Sequence, residues 1–255
     1  MFPISDDNPQ LATPVATWSI VALNLGCWAL VQGLGFGEAL RESICSFGLV
    51  PASIFGGPPR GEVVYCPNAV GALGLFTSMF MHGGWMHLLG NTWFLWVFGG
   101  NVEDSMGALR FVVLYLLSGL AASAAQIAAD PTSPIPVVGA SGAIGGVMGA
   151  YLVLFPRVRV RMLVVLIVIF TTFRVPAYLM LGYWIVVQII GGLTPSEGGG
   201  IAFWAHIGGF FAGALLVMLL KDEELLLRHP HRGLSPPVDP ANVWNDSRNR
   251  EDQRR

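Results

Sequence analysis

Two short glycine-rich stretches each hold one side chain suited to acyl-transfer chemistry. Ser141 lies in GASGAIGG, residues 139–146, and His206 lies in AHIGG, residues 205–209. A serine hydroxyl is a weak nucleophile until a base removes its proton, and histidine does this near neutral pH. Both stretches are embedded in apolar sequence, so the pair predicts nucleophilic catalysis in an apolar environment.

The composition of the chain is typical of a membrane protein. Of its 255 residues, 53% are hydrophobic and 12% are charged, whereas soluble domains carry about 25% charged residues. The formal net charge of −2 does not suggest a nucleic-acid partner. The acidic segment 1–14 lacks the basic region that begins a cleavable signal peptide. We therefore expect an integral membrane protein whose immediate partner is the lipid bilayer.

Six apolar stretches predict membrane-spanning helices, because about 20 apolar residues cross a ~30 Å hydrocarbon core. We number them spans 1 to 6: residues 15–34, 84–101, 110–129, 141–155, 175–190 and 201–220. A long, mixed loop over 35–83 joins the first two. The prediction is an all-α membrane protein with a six-helix bundle over 15–220. A short cytoplasmic segment, 1–14, precedes it, and a charged, partly disordered cytoplasmic tail, 221–255, follows.

Span 4 is too short to cross the membrane as a helix. Its residues 141–155 give roughly 22 Å at 1.5 Å per residue, about 8 Å less than the core requires. Backbone polar groups cannot be left facing lipid, so residues 137–140 should be non-helical and sheltered by protein. Ser141 would then lie below the outer surface, on the floor of a cavity.

The connection after span 4 carries four arginines. Arg157, Arg159 and Arg161 alternate with apolar residues, which is a strand-like or interfacial pattern. One helix over 162–190 would bury Arg174 in the membrane at a high cost. We therefore expect an interfacial segment to residue 173, followed by a helix with Pro176 in its first turn, where proline is tolerated.

Positive charge marks the cytoplasmic face of a membrane protein. The arginines of 157–174 share one side with Arg110 and the basic tail, whereas the other side has only Arg41 and Arg60 in the first loop. Both termini are therefore expected in the cytoplasm, with Ser141 opening toward the outer face. The loop 191–200 is expected to be flexible and to face outward.

Four polar side chains fall in one layer near the outer face. From the helical rise, Ser141 and His206 lie roughly 8 Å below the surface, Asn91 about 10 Å below it, and His87 about one turn higher. His87 and Asn91 are four residues apart and share a helix face. Their N–H groups are suited to stabilising an oxyanion.

Stripes of small residues provide the close approach that this chemistry needs. Ser141 is spaced with Gly145 and Gly149 along span 4, and His206 with Gly209 and Gly213 along span 6. Small residues let membrane helices approach closely. The two stripes can therefore bring the serine and the histidine within hydrogen-bond reach.

Simpler interpretations stay open for each residue. Ser141 is also explained as a small packing residue, and His206 as a structural histidine. His82, His87 and His206 are possible metal ligands, but there is no HExxH motif or inward carboxylate, so we expect neither metal nor cofactor. The tail histidines, His229 and His231, are expected to be solvated.

The three cysteines have no metal-like spacing. Cys27 lies in span 1, while Cys45 and Cys66 share the first loop. The latter two can pair if the loop faces an oxidising compartment, but we expect free thiols.

Four motifs occur in a fixed order along the chain. They are HGGWMHLLGN at 82–91, GGNVED at 99–104, GASGA at 139–143 and AHIGG at 205–209. With these motifs the chain resembles the rhomboid family of intramembrane serine proteases, bacterial members in particular, over nearly all of residues 1–220. A location in the bacterial inner membrane is what this resemblance implies.

The resemblance also implies roles for individual residues. Ser141 and His206 would form a catalytic dyad without a third carboxylate, and His87, Asn91 and the backbone at Ser141 would bind the oxyanion. Span 5 and the loop after it would control substrate access. The motifs contain five supporting residues: His82, Glu103, Gly139, Gly142 and Gly209.

The chain departs from the family pattern at two places. Many members carry an aromatic residue four positions after the serine, where it stacks on the histidine, but here that residue is Gly145. The sequence does not show what supports the His206 ring instead. The Trp-Arg pair often found in the first loop is also absent, which leaves the seating of that loop open.

The expected function is cleavage of transmembrane proteins near small, helix-destabilising residues at the outer edge of the membrane. The alternative is a non-catalytic rhomboid-like protein that binds and routes membrane clients. The presence of Ser141 and His206 argues against it, since such a protein needs neither. A channel or transporter is disfavoured because no internal repeat is seen. The sequence does not identify the substrate or the oligomeric state.

Overall fold

The computed structural model describes residues 2–55, 66, 68–166, 169–194 and 201–231. The helices are α1 Val15–Leu30, α2 Gly37–Phe47, α3 Pro51–Phe55, α4 Gly74–Thr77, α5 Trp85–Asp104, α6 Ala108–Ala129, α7 Ser141–Leu154, α8 Ala177–Leu193, α9 Phe203–Leu220 and α10 Glu223–Leu227. Strands β1 Phe2–Asp6, β2 Arg159–Leu166 and β3 Ile169–Pro176 form one antiparallel sheet in the order β1-β2-β3. The described chain is thus mostly helical.

A helix occupies each of the six stretches that the sequence predicts to be spans. The first ends at Leu30 rather than at residue 34. By length and hydropathy, two of the described helices are long and apolar enough to cross a membrane, namely α6 and α9. Shorter apolar helices include α1, α7 and α8.

Helix α7 lies at the centre of the bundle and contacts α5, α6, α8 and α9. Its backbone touches that of α9, because a Cβ on Gly209 would overlap the carbonyl oxygen of Gly142, and one on Gly213 would overlap that of Gly146. The small-residue stripe predicted on α9 therefore meets α7. On α7 the contact includes Gly142 and Gly146 and also the predicted Gly145 and Gly149, where an added Cβ would crowd the carbonyl oxygens of His206 and Phe210.

The chain before α7 is non-helical, as the length of span 4 predicts. Val137 pairs with Leu49 of the first loop through two backbone hydrogen bonds of 2.8 and 2.9 Å. The Gly139 N–H donates to the Ser78 carbonyl oxygen at 2.9 Å. Backbone hydrogen bonds thus satisfy polar groups of this non-helical segment. The helix can therefore begin at Ser141 although the residues before it lie outside a helix.

Several polar contacts gather at the end of the bundle opposite the start of α7. Asp6 accepts hydrogen bonds from the Tyr151 hydroxyl and from Asn101 Nδ2, the latter at 2.9 Å. Burial raises the pKa of the Asp6 carboxyl to about 6. Arg110, at the start of α6, forms a 2.9 Å ion pair with Asp222 just after α9. These contacts place the N-terminal strand, the α5–α6 turn, the end of α7 and the chain after α9 at one end.

Glu103 ties α5 to the start of α1. Its carboxylate accepts hydrogen bonds of 2.9 and 2.8 Å from the backbone N–H groups of Ala16 and Thr17, and one of 2.8 Å from the Thr17 hydroxyl. The first N–H groups of a helix have no partner inside the helix, and a negative charge there is favourable. Glu103 therefore caps α1 and fixes its position against α5.

Residues 159–166 and 169–176 of the connection after α7 pair as two antiparallel strands. Strands β2 and β3 pair in register, with Arg161 opposite Arg174, and β1 adds a third strand from the N-terminus. The alternating pattern was therefore that of a strand, and the segment 1–14 is partly structured by pairing with it. Pro176 ends β3 and directly precedes α8. The prediction that it lies in the first helical turn is therefore wrong.

Two further predictions are wrong. Cys45 and Cys66 form a disulfide with a Cα–Cα distance of 5.0 Å, because the first loop folds back and the Val70 N–H donates to the Ser46 carbonyl oxygen at 3.2 Å. His229 is fully buried rather than solvated, with its ring 5.0 Å from that of Phe155.

The part of the tail that the structure describes, residues 221–231, includes a short helix. Residues 223–227 form α10, and the Asp222 side chain caps its start by accepting from the N–H groups of Glu224 and Leu225. The predictions for Arg60, for residues 195–200 of the flexible loop and for 232–255 of the tail lie outside the described residues.

Candidate active site

A cavity of about 620 Å³ lies among α5, α7, α8, α9 and the segment that precedes α7. Four predicted site residues line it: His87, Asn91, Ser141 and His206. Its remaining wall includes apolar side chains from Met86, Phe94, Ile144, Met148 and Trp184, and polar ones from Gln126, Asp130 and Ser133. The fold thus gathers residues that lie 119 positions apart, from His87 to His206, in one pocket.

Ser141 and His206 are in direct contact. Ser141 is the first residue of α7, and its Oγ lies 2.8 Å from Nε2 of His206, which is in the first turn of α9. The contact follows from the glycine packing of the two helices, since no side chain separates their backbones here. The geometry is that of a nucleophile paired with a general base.

The other ring nitrogen of His206 contacts a residue that the sequence reasoning missed. Nδ1 lies 2.8 Å from Oε1 of Gln188, a buried side chain of α8. The Gln188 amide nitrogen donates to the carbonyl oxygen of Trp184 at 3.2 Å. A polar side chain inside an apolar span is a signal of function, and Gln188 in span 5 could have been identified on that ground.

Trp184 supplies the aromatic ring beside His206 that residue 145, a glycine in this chain, does not provide. Its ring centroid lies 5.7 Å from that of His206. A Cβ on Gly145 would lie 3.1 Å from the His206 carbonyl oxygen and 3.7 Å from the Trp184 ring. The ring that supports His206 therefore comes from α8 instead of α7, and the small residue at 145 leaves the space that Trp184 fills.

Two donors face the cavity from α5. The Gly83 N–H donates to Nδ1 of His87 at 3.3 Å, so the proton of the neutral ring lies on Nε2. Asn91 is buried, and its Nδ2 donates to no acceptor among the residues that the structure describes. The first turn of α7 adds backbone N–H groups and the positive end of the helix dipole. The cavity thus holds several donors suited to a developing negative charge.

Gly139 is needed for this arrangement. Its φ of +126° is one that other residues rarely adopt. A Cβ at this position would lie 2.6 Å from Nε2 of His87. The backbone before α7 can therefore pass close to His87 only because residue 139 is a glycine.

His82 supports the site from behind. Its side chain is fully buried, and its ring stands edge to face against that of His87 with a centroid distance of 5.3 Å. Gln32, a buried residue that sequence reasoning also missed, holds the His82 backbone with two 2.8 Å hydrogen bonds, one to its carbonyl oxygen and one from its N–H. Gln32 thus fixes the backbone of the segment that leads into α5, and the His82 ring packs against that of His87.

The other predicted supporting residues have distinct places. Gly142 and Gly209 form the α7–α9 contact beneath the dyad. Glu103 is not in the cavity, since it lies sixteen residues after His87 on α5, or roughly 24 Å along the helix axis. It therefore supports the bundle and not the reacting groups.

Comparisons with known proteins agree with this geometry. A sequence model described as the rhomboid domain matches residues 71–223. The chain is 33% identical to Rhomboid protease GluP of Bacillus subtilis over 207 residues, which cover 81% of this chain and 36% of that protein.

Plant and animal relatives match shorter stretches. RHOMBOID-like protein 5 of Arabidopsis thaliana is 33% identical over 153 residues, which cover 58% of this chain and 45% of that protein. Rhomboid-related protein 2 of Mus musculus is 30% identical over 167 residues, which cover 60% of this chain and 50% of that protein. The chain therefore spans half or less of the length of these relatives. Because the rhomboid domain covers more than half of the chain, the chain belongs to the rhomboid family of integral membrane proteins.

Proposed function

We propose that this protein is an intramembrane serine endopeptidase that cleaves transmembrane protein substrates near the outer membrane face. The observation that carries the proposal is the 2.8 Å contact between Ser141 Oγ and His206 Nε2 inside a cavity. A serine that served only for packing would not need a histidine at hydrogen-bond distance. The name of the Bacillus relative, Rhomboid protease GluP, supports the same activity.

In the acylation step, Ser141 Oγ attacks the carbonyl carbon of the scissile peptide bond, and His206 Nε2 takes the hydroxyl proton. The carbonyl oxygen becomes an oxyanion. Asn91 Nδ2, His87 Nε2 and the backbone N–H groups at the start of α7 donate to it. The tetrahedral intermediate then breaks the C–N bond, and the imidazolium returns its proton to the leaving amine.

Deacylation repeats these steps with water as the nucleophile. His206 removes a proton from the water, whose oxygen attacks the acyl carbon, and the proton then returns to Ser141 Oγ as the ester bond breaks. Water must therefore reach the cavity from the outer face. The polar wall of Gln126, Asp130 and Ser133 supports such a path. This chemistry needs no metal or cofactor.

The proposed topology has six spans with both termini in the cytoplasm, in the inner membrane of a bacterium. The catalytic domain is 15–220, with the segment 1–14 and the tail 221–255 on the cytoplasmic side. The pairing of β1 with β2 supports this, since it brings the N-terminus to the arginine-rich connection after α7. The Arg110–Asp222 ion pair joins the α5–α6 turn to the chain after α9 at the same end.

The first prediction concerns the nucleophile. A fluorophosphonate probe should label the wild-type protein on Ser141, and both Ser141→Ala and His206→Ala should lose labelling because they lack the nucleophile or its base. Ser19→Ala, which changes an exposed serine of α1, is the matched control and should label normally. Labelling of Ser141→Ala at the wild-type level would refute the proposed nucleophile.

The second prediction concerns the oxyanion donors. Asn91→Ala should lower turnover about ten- to a thousandfold, in line with the loss of one oxyanion donor, and His87→Ala should act in the same direction. The neighbouring Thr92→Ala removes a hydroxyl that bonds within α5, to the carbonyl oxygens of Leu88 and Leu89, and should keep near-normal turnover. Normal turnover by folded Asn91→Ala and His87→Ala proteins would place the oxyanion donors elsewhere.

The third prediction concerns topology. Pro131→Cys and Thr172→Cys are made separately in a Cys27→Ala background, where Cys45 and Cys66 are already joined. A membrane-impermeant maleimide should label Pro131→Cys in intact cells, but Thr172→Cys only after lysis. The reverse pattern would invert the protein. Labelling of both sites in intact cells would be incompatible with α7 as a crossing between them.

A further inference from the structure

We infer that Gln188 is a positioning residue that holds the His206 ring in the tautomer required of a general base. The inference deepens the proposed function and rests on it, since it concerns how the same histidine is made competent. Gln188 lies in α8 and is 7% exposed. Its Oε1 lies 2.8 Å from His206 Nδ1.

The orientation of the Gln188 amide is fixed by its second contact. Its nitrogen donates to the Trp184 carbonyl oxygen, one turn earlier in α8, at 3.2 Å. A carbonyl oxygen only accepts hydrogen bonds, so the nitrogen must face it and Oε1 must face His206. Turning the amide over would set two acceptors against each other at Trp184.

The amide orientation in turn fixes the histidine. Because Gln188 Oε1 only accepts, the neutral His206 ring must carry its proton on Nδ1. The lone pair of Nε2 then points at Ser141 Oγ, which is 2.8 Å away. In the opposite tautomer, Nε2–H would face the serine and could not take its proton, and Nδ1 would face another acceptor.

A neutral amide is suited to accept the hydrogen bond from His206 Nδ1 inside a membrane. In many serine hydrolases a buried carboxylate orients the histidine, but an unpaired charge is costly within a membrane. Gln188 provides the acceptor without that charge. It cannot stabilise the imidazolium as strongly as a carboxylate can, so its main contribution is to the tautomer and ring orientation.

Both supports of the His206 ring come from α8. The Trp184 ring lies tilted against the His206 ring, and Gln188 accepts from it. The two are one helical turn apart, so a displacement of α8 from α9 would remove them together. His206 is therefore an oriented base only while α8 is seated as it is here.

The test uses Gln188→Met, which keeps an unbranched side chain of similar length but lacks the acceptor. Val187→Met is the matched control, because Val187 is the preceding residue of α8 and its side chain is 39% exposed. Both proteins are prepared with ¹⁵N-labelled histidine in lipid bilayers at about pH 8, where an ordinary histidine is neutral. The His206 signals are identified by their loss in His206→Ala.

The wild type and Val187→Met should show Nδ1 protonated and Nε2 unprotonated. Gln188→Met should lose this preference and show both tautomers. Its kcat on a model transmembrane substrate should fall about ten- to a hundredfold, as expected for a misplaced base, with KM within about twofold. If Gln188→Met does not fold, Gln188→Leu replaces it in the same measurements.

Three outcomes would overturn the inference. The first is that Gln188→Met changes neither the tautomer nor kcat. The second is a lower kcat with an unchanged tautomer, which indicates a merely structural role. The third is a changed tautomer with an unchanged kcat. Failure of the proposed function is seen separately, as a wild-type protein that cleaves no substrate. In that case the ¹⁵N spectra still decide whether Gln188 fixes the His206 tautomer.

Discussion

The backbone contact between α7 and α9 is the constraint on which the rest of the structure depends. At Gly142 and Gly209 the two helices approach so closely that one added methyl group would overlap a carbonyl oxygen. This contact sets Ser141 beside His206, because each lies within one turn of it. Neither residue would reach the other if a side chain separated the helices. Packing by small residues, common among membrane helices, here also brings a serine and a histidine into hydrogen-bond contact.

The remaining elements hold this pair from two directions. At one end, a non-helical approach with Gly139 brings the chain to Ser141, and α5 and α8 surround the pair with donors and an aromatic ring. At the other end, Asp6 bonds Tyr151 near the end of α7, and Glu103 caps α1. Central helix α7 is thus anchored at its far end by a partly buried polar contact, and its first residue lines the cavity.

Much of the site could be predicted from the sequence, because its causes are local. Span length predicts the non-helical segment before Ser141, helical spacing puts His87 and Asn91 on one face, and glycine stripes identify the helix contact. Gln188 is identifiable only as a polar residue inside an apolar span, and neither its contact with His206 nor that of Trp184 could be predicted in this way. Which face of α8 turns toward α9 depends on packing across the whole bundle, so the contacts of Gln188 and Trp184 with His206 are seen only in three dimensions.

The same limit explains the other differences between sequence and structure. The pairing of β1 with β2 joins residues about 160 positions apart, which no local pattern reveals. The Cys45–Cys66 bond depends on how the first loop folds back. His229 is buried because the chain after α9 turns onto Phe155. Each of these is a contact between segments whose relative position is set by the bundle and not by their own composition.

The most direct test of the central claim is cleavage of a model transmembrane substrate by the purified protein in proteoliposomes. The wild-type protein should release two fragments cut within or beside the substrate helix, near its outer end. Ser141→Ala, which keeps the helix contact and removes only the hydroxyl, should release none. Equal cleavage by the two proteins, or none by a correctly folded wild type on any of several substrates with small residues in the helix, would contradict the account.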